Sequence, residues 1–232
     1  SFDRDFGWTP AGAGSHTLRA VASAVDGTTA EDEVTVMVGE AAEFVANGSF
    51  EEGFLPITRG AVGNGWGWFI NGGSAESGFY DETWAPVVYD GEHSQLIEIS
   101  TYGLAETRPD RYAGIYQLLE GLTPGATYHL SLHGMLRVVD DDATADDYRL
   151  QWGFRPEYDT DWTSVDNWTV VPWDEVYPRL DPGAMLDYET TFEAPASRVT
   201  LFIRAWKKWA TVEKELDLNL DAISVTGYRS GE

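Results

Sequence analysis

From Pro124 to Leu132 the chain reads PGATYHLSL. Proline followed by glycine suits the second and third positions of a turn. Beyond it Tyr128, Leu130 and Leu132 alternate with His129 and Ser131, the two-residue period of a strand with one buried face. The other face continues through His133, Met135 and Arg137; half polar, it suits solvent or a binding groove. Short alternating runs recur on both sides, bounded by Gly, Pro and Asp: QLIEIS (95–100), GIYQLLE (114–120), DYRLQWGF (147–154), LDYETTFEA (186–194), SRVTLFIRAW (197–206) and LNLDAISVTG (218–227). No long amphipathic helix interrupts them. This spacing predicts an all-β sandwich with Tyr128, Leu130, Leu132, Val199, Leu201 and Ile203 in its core.

Composition removes several classes of function. The 232 residues hold 39 Asp and Glu against 15 Lys and Arg, a formal charge of −24. Such a chain repels phosphate backbones and anionic lipid, so nucleic acid is not an expected partner. The absence of cysteine excludes a disulfide framework, thiol catalysis and Cys-based zinc sites. No apolar run approaches the roughly 20 residues that span a bilayer, so no membrane insertion is expected. The chain starts at Ser1 with no signal-peptide pattern and is read as part of a longer polypeptide with further domains.

Composition shifts near residue 40. Upstream, Leu18, Ala20 and Ala22, then Val34, Val36 and Val38, form two alternating runs joined across Asp26-Gly27, which predicts a β-hairpin in residues 1–39. A lone hairpin is marginal. Residues 40–232 form the larger unit.

Within that unit, NGSFEEG (Asn47–Gly53) sets a turn signal before Phe50 and two adjacent acids after it. Read as a strand, Glu51 and Glu52 point to opposite faces, so one of them needs a partner, and a cation is a natural one. The ten tryptophans are the second signal. An indole offers a flat surface to the CH face of a sugar, and Trp66 and Trp68 in GNGWGWFINGG, Trp84 in DETWAP and Trp206 in RAWKKWA are the candidate rings. The glycines around Trp66 and Trp68 predict a presented loop. Gln95, Gln117 and Arg137 are the polar groups placed beside the sugar. The competing reading is that these rings complete the core; if Trp66 and Trp68 are structural, the site falls to Trp152, Trp162 and Trp206.

Other features say less. HLSLH (129–133) lacks the glutamate of HExxH and lies in a strand pattern, so zinc is not expected. The acidic run VVDDDATADDY (138–148) matches no EF-hand loop and reads as a solvated hairpin end. Asn47-Gly-Ser and Asn167-Trp-Thr are formal glycosylation acceptors.

The order FVANGSFEEG, a Trp-rich segment, YDGEHSQLIEIS, AGIYQLLEGLTPGATYHLSL, FEAPASRVTLFIRAW and LDLNLDAISVTG resembles the jelly-roll carbohydrate-binding modules of the superfamily that includes families four, nine and twenty-two. The resemblance covers residues 43–227. It implies two antiparallel sheets, no catalysis, a glycan ligand and a structural calcium held by Glu51 and Asp221, with Glu92 of DGEH as a third acid. The insert QWGFRPEYDTDWTSVDNWTVVPWDE (151–175) departs from the pattern. Residues 1–39 resemble the last two strands of bacterial immunoglobulin-like and PKD-like domains.

The sequence therefore points to a non-catalytic module of an extracellular or cell-surface protein, binding a neutral glycan because the net charge repels uronates at low salt. A structural sandwich without a sugar site is the alternative. A glycoside hydrolase is the third reading, since paired carboxylates cleave glycosidic bonds, but no pair among the acids is singled out.

Overall fold

The computed structural model describes residues 7–10, 14–39, 41–71, 76–100, 109–139, 146–209 and 214–229. The middle of the acidic run, residues 140–145, lies outside them. The strands in chain order are β1 (Gly14–Ser23), β2 (Thr29–Val38), β3 (Ala41–Glu43), β4 (Phe54–Ile57), β5 (Gly60–Gly63), β6 (Gly67–Ile70), β7 (Glu76–Glu82), β8 (Ser94–Ser100), β9 (Pro109–Glu120), β10 (Thr127–Val138), β11 (Tyr148–Pro156), β12 (Thr169–Val170), β13 (Tyr177–Pro178), β14 (Leu186–Glu193), β15 (Arg198–Trp209) and β16 (Leu216–Tyr228).

β1 and β2 pair antiparallel with Leu18 opposite Val34, across a turn in which Gly27 takes φ +87° and Asp26 accepts from the Thr28 amide at 3.0 Å. Both faces of this hairpin are largely exposed. Thr35 and Val36 share a cavity of about 690 Å³ with the Thr123–Thr127 turn and Tyr228.

The remaining strands form a jelly-roll sandwich. A nine-stranded sheet runs β13-β10-β16-β8-β7-β5-β4, with β14 added to β10 and β3 to β16; a five-stranded sheet runs β12-β11-β15-β9-β6. Pairing is antiparallel except at two short contacts, β10 with β13 and β5 with β7. The core lies between the sheets. Tyr128, Leu130, Leu132, Leu136 and Val138 of β10 point into it with Leu216, Leu218 and Leu220 of β16, meeting Val199, Leu201, Ile203 and Ala205 of β15. Alternation along these strands leaves two outer faces.

The first and last parts of the sandwich meet at NGSFEEG. Here Glu51 and Glu52 lie in a turn, so strand alternation does not apply to them. Asn47 and Phe50 take φ +50° and +63°, and the Asn47 side chain bonds Gly53 O, Asn64 O and the Glu52 amide at 3.2, 3.0 and 2.9 Å. Those bonds leave the Asn47 amide buried and committed. Gly48 accepts from the Ile223 amide at 2.9 Å, and a Cβ at Gly48 would stand 1.8 Å from the Ile223 oxygen. On β16 this point follows a bulge, where Ala222 has φ +46° and the register with β10 shifts.

The short strands of this region leave main-chain groups that buried amides satisfy. Gln95 is fully buried; its Oε1 accepts from the Gly63 amide at 3.0 Å, and its Nε2 donates to Ala61, Tyr80 and Leu96 oxygens at 3.3, 3.2 and 3.0 Å. Gln95→Leu keeps the volume and removes every one of these partners. We expect it to lower unfolding stability by about 2–4 kcal/mol, measured by urea denaturation with an unchanged m-value.

Candidate functional site

The expected sugar-binding residues do not converge. Trp66 is 4% exposed, packs against Phe50 and donates to Asn47 O at 3.1 Å. The glycines beside it let the chain fold back over the ring, so it closes the core. Trp68 also packs on the core, its ring 5.7 Å from Phe79. Gln117 clasps Ala46, accepting its amide at 2.7 Å and donating to its oxygen at 2.9 Å. Trp152 is in the core and donates to Tyr188 Oη at 3.1 Å. Trp84 and Arg137 lie on the outer side of the nine-stranded sheet, and Trp206 lies on the outer side of the five-stranded one. Of the seven expected residues, Trp84 and Trp206 keep open rings, on opposite faces.

Arg137 is 3% exposed beneath Trp84, its guanidinium 5.6 Å from that ring. It donates to Asn219 Oδ1 at 3.0 Å and to Arg179 O at 2.8 Å, and pairs with Asp217 at 3.3 Å. Arg179 reaches Asp217 at 2.9 Å, Glu98 at 3.6 Å and Glu215. Oxygens of Glu98, Glu215 and Asp217 lie within 4.8 Å of one another, and the Arg179 guanidinium pairs with all three. Among the described residues this is the one group of three such side chains close enough to share an ion; Asp217 is 1% exposed and engaged by Arg137 and Arg179.

The acids expected to hold calcium act on one loop. Glu51 Oε1 accepts from the amides of Glu92 and His93 at 2.9 and 2.8 Å. Gly91 lies against this carboxyl with φ +77°, where a Cβ would stand 2.3 Å from Glu51 Cδ. Asp221, fully buried, accepts from Tyr89, Asp90 and Ala222 amides at 2.8, 3.0 and 2.6 Å. The bulge at Ala222 thus aims Asp221 at the 89–90 segment while Glu51 holds 92–93. Glu92 contributes its amide here; its carboxylate bonds neither acid. The donor set fits a cation in part: burial pushes the Asp221 carboxyl up to about 6, and Glu51 Oε2 accepts from no described donor.

The outer face of the five-stranded sheet carries a concentration of aromatic rings, of which the sequence had named Trp162 and Trp206 but not Tyr112, Tyr116 or Trp168. Cross-strand neighbours form three rows: Gly67, Tyr116, Phe202 and Gly153; Phe69, Gly114, Arg204 and Gln151; Tyr112, Trp206 and Arg149. The glycines make room for rings. A Cβ at Gly67 would meet Tyr116 at 2.2 Å, one at Gly114 would meet Phe69 at 2.4 Å, and one at Gly153 would meet Val165 at 2.7 Å.

The 151–175 insert folds over this face. Asp159 accepts from the Asp161 amide at 2.9 Å and Ser164 Oγ at 3.0 Å; Asp161 accepts from the Thr163 amide at 3.0 Å and its hydroxyl at 2.6 Å. The acids of DTDW therefore shape a turn. That turn stacks Trp162 on Phe69, centroids 5.2 Å apart, and sets Trp168 over Phe202 at 6.4 Å. Between them lies Arg204, 3.5 Å from the Trp168 ring and 4.0 Å from Tyr112, with Nε donating to Gln151 Oε1 at 2.8 Å. Trp206 is fixed by a 2.7 Å bond from its Nε1 to Asp110 Oδ1. Tyr112, Tyr116, Trp162, Trp168 and Trp206 are all half-buried. Strand parity already put Tyr112, Gly114 and Tyr116 on the side opposite Ala113 and Ile115; that was the available signal.

No protein-family model matches the chain, and no curated protein matches it in sequence. Several solved structures are similar. TmCBM61 in complex with β-1,4-galactotriose is 9% identical, with 82% of this chain and 99% of that one covered and a TM-score of 0.45. TmCBM27, a carbohydrate-binding module with specific mannan recognition, is 11% identical over 91% of this chain and 99% of its own, at 0.39. An arabinose-bound α-L-arabinofuranosidase is 15% identical; 79% of this chain covers 26% of that enzyme, at 0.47. At these identities the likeness is one of β-sandwich fold.

Asp217 gives a signed pH dependence. Burial pushes its carboxyl up to about 6 from 3.8, against the pull of Arg179 and Arg137. The folded chain then binds this proton more tightly than the unfolded chain between about pH 4 and 6, so stability rises as pH falls through that window. We expect the melting temperature to be higher at pH 5 than at pH 7, and Asp217→Asn to reduce the rise without abolishing it, because Asp221 is pushed up to about 6 as well; calorimetric melts of both proteins at the two pH values measure it.

Proposed function

We propose that the chain is a non-catalytic glycan-binding module whose sugar contacts lie on the outer face of the five-stranded sheet. The observation that carries this reading is the half-exposed set of rings, Tyr112, Trp162, Trp168 and Trp206, held by the Asp110 bond, by stacking of Trp162 on Phe69 and by the insert. A ring with one face packed and the other open suits the CH surface of a pyranose, and Gln151, with Arg149 beside it, supplies hydrogen-bonding groups for hydroxyls. The module belongs, in this reading, to a larger extracellular protein, with residues 1–39 as the end of a neighbouring immunoglobulin-like domain. Both placements rest on the sequence resemblance.

Stacking and a few hydrogen bonds, less the ordering cost of the glycan, leave dissociation constants on the order of 10 µM to 1 mM, or roughly −7 to −4 kcal/mol. We expect Trp206→Ala and Tyr112→Ala to weaken glycan binding about tenfold or more with little change in melting temperature. Trp66→Ala should instead cost about 3–5 kcal/mol of stability, because its ring fills the core. Calorimetric titration against an oligosaccharide panel separates the alternatives. No binding favours a spacer, and release of reducing sugar favours a hydrolase.

Calcium at Glu51 and Asp221 is part of the same proposal. Glu51 through Oε2 and Asp221 through its carboxylate would hold it, and the ion would supply positive charge to a buried acid and tie the 89–93 loop to the last strand. EDTA should then lower the melting temperature by several degrees, reversed by added calcium; an identical melt with and without chelator overturns the ion.

A further inference from the structure

Arg204 is more than a packing residue of the aromatic face. It is 6% exposed, with its guanidinium flat between the rings of Trp168 at 3.5 Å and Tyr112 at 4.0 Å and with Trp162 at 5.6 Å. Its neighbours on the face each have a carboxylate: Arg149 pairs with Asp146 at 2.9 Å, Arg155 with Asp159 at 3.3 Å and Lys208 with Asp147 at 2.8 Å. Arg204 has none within 4.0 Å among the described residues. Its Nε is taken by Gln151, while its two terminal nitrogens have no acceptor among the described residues and are not sealed from solvent. Burial also pulls its pKa down to about 10, against a weaker upward pull from Tyr112 and from Asp110, as for a cation with no carboxylate in direct contact.

The free edge of this guanidinium presents parallel N–H groups, a fork that matches the two oxygens of a carboxylate. The stacked rings hold the plane of the fork in place. We propose that the aromatic face binds a glycan containing uronic acid, with the sugar carboxylate received by the terminal nitrogens of Arg204; this rests on the glycan-binding reading of the same face. Net charge alone pointed to a neutral glycan. That argument concerns the long-range field, which falls off within about 8–10 Å at ordinary salt, whereas a carboxylate at the fork is in contact with an unpaired cation.

The test uses the intact chain at about 0.15 M salt and three pairs of oligosaccharides, galacturonate, glucuronate and mannuronate, each as free acid and as methyl ester. In at least one pair the acid should bind tenfold or more tighter than its ester. Arg204→Gln and Arg204→Lys should erase that preference, the lysine because it keeps the charge and loses the planar fork, while the ester is still bound. Circular dichroism and melting confirm that the variants fold, and the acid-to-ester ratio of the unmodified chain stands without them. Equal or tighter binding of the esters in every pair overturns the carboxylate and leaves glycan binding in place. No binding of any acid, ester or neutral oligosaccharide overturns both.

Discussion

The close approach of Gly48 to Ile223 is the constraint on which the rest of the sandwich depends. With the Gly48 Cα this near the Ile223 oxygen, no side chain fits at 48. The bond from the Ile223 amide joins the turn that opens the sandwich to the strand that ends it. The bulge at Ala222 lies beside this contact and swings Asp221 toward the 89–90 amides, while Glu51, three residues beyond Gly48, takes the amides of 92 and 93. One contact between distant parts of the chain thus organises a turn, a bulge, two acids and a loop.

Much of the fold was legible because a strand with one buried face writes its orientation into every second residue. The six expected core residues of β10 and β15 all lie between the sheets. The site was less legible, for physical reasons particular to each residue. A glycine beside Trp66 is equally compatible with a projecting loop and with a chain that doubles back over the ring. Gln95 and Gln117 were expected beside the sugar as polar groups. They are there because short strands expose peptide groups that nothing else nearby can bond. Glu51 and Glu52 were read by strand alternation, yet the left-handed residues Asn47 and Phe50 had already bent the chain into a turn.

What pattern alone could not give was the use of the insert. Its acids have no assigned role in sequence, and in space Asp159 and Asp161 spend their oxygens on the turn that carries Trp162. Arg204 reads in sequence as one charge among many in SRVTLFIRAW. Its setting between Tyr112 and Trp168 depends on β9 and on a segment about forty residues upstream, which no local period reports.

The glycine positions of the aromatic face have a thermodynamic consequence. Gly67, Gly114 and Gly153 leave slots in three of the sheet's five strands, and Tyr116, Phe69 and the insert occupy them. A ring seated in a slot has already surrendered its rotamer choices during folding, so it has little left to lose when a ligand arrives. Any ligand of this face would meet a rigid relief cast in backbone, its shape fixed before a side chain moves.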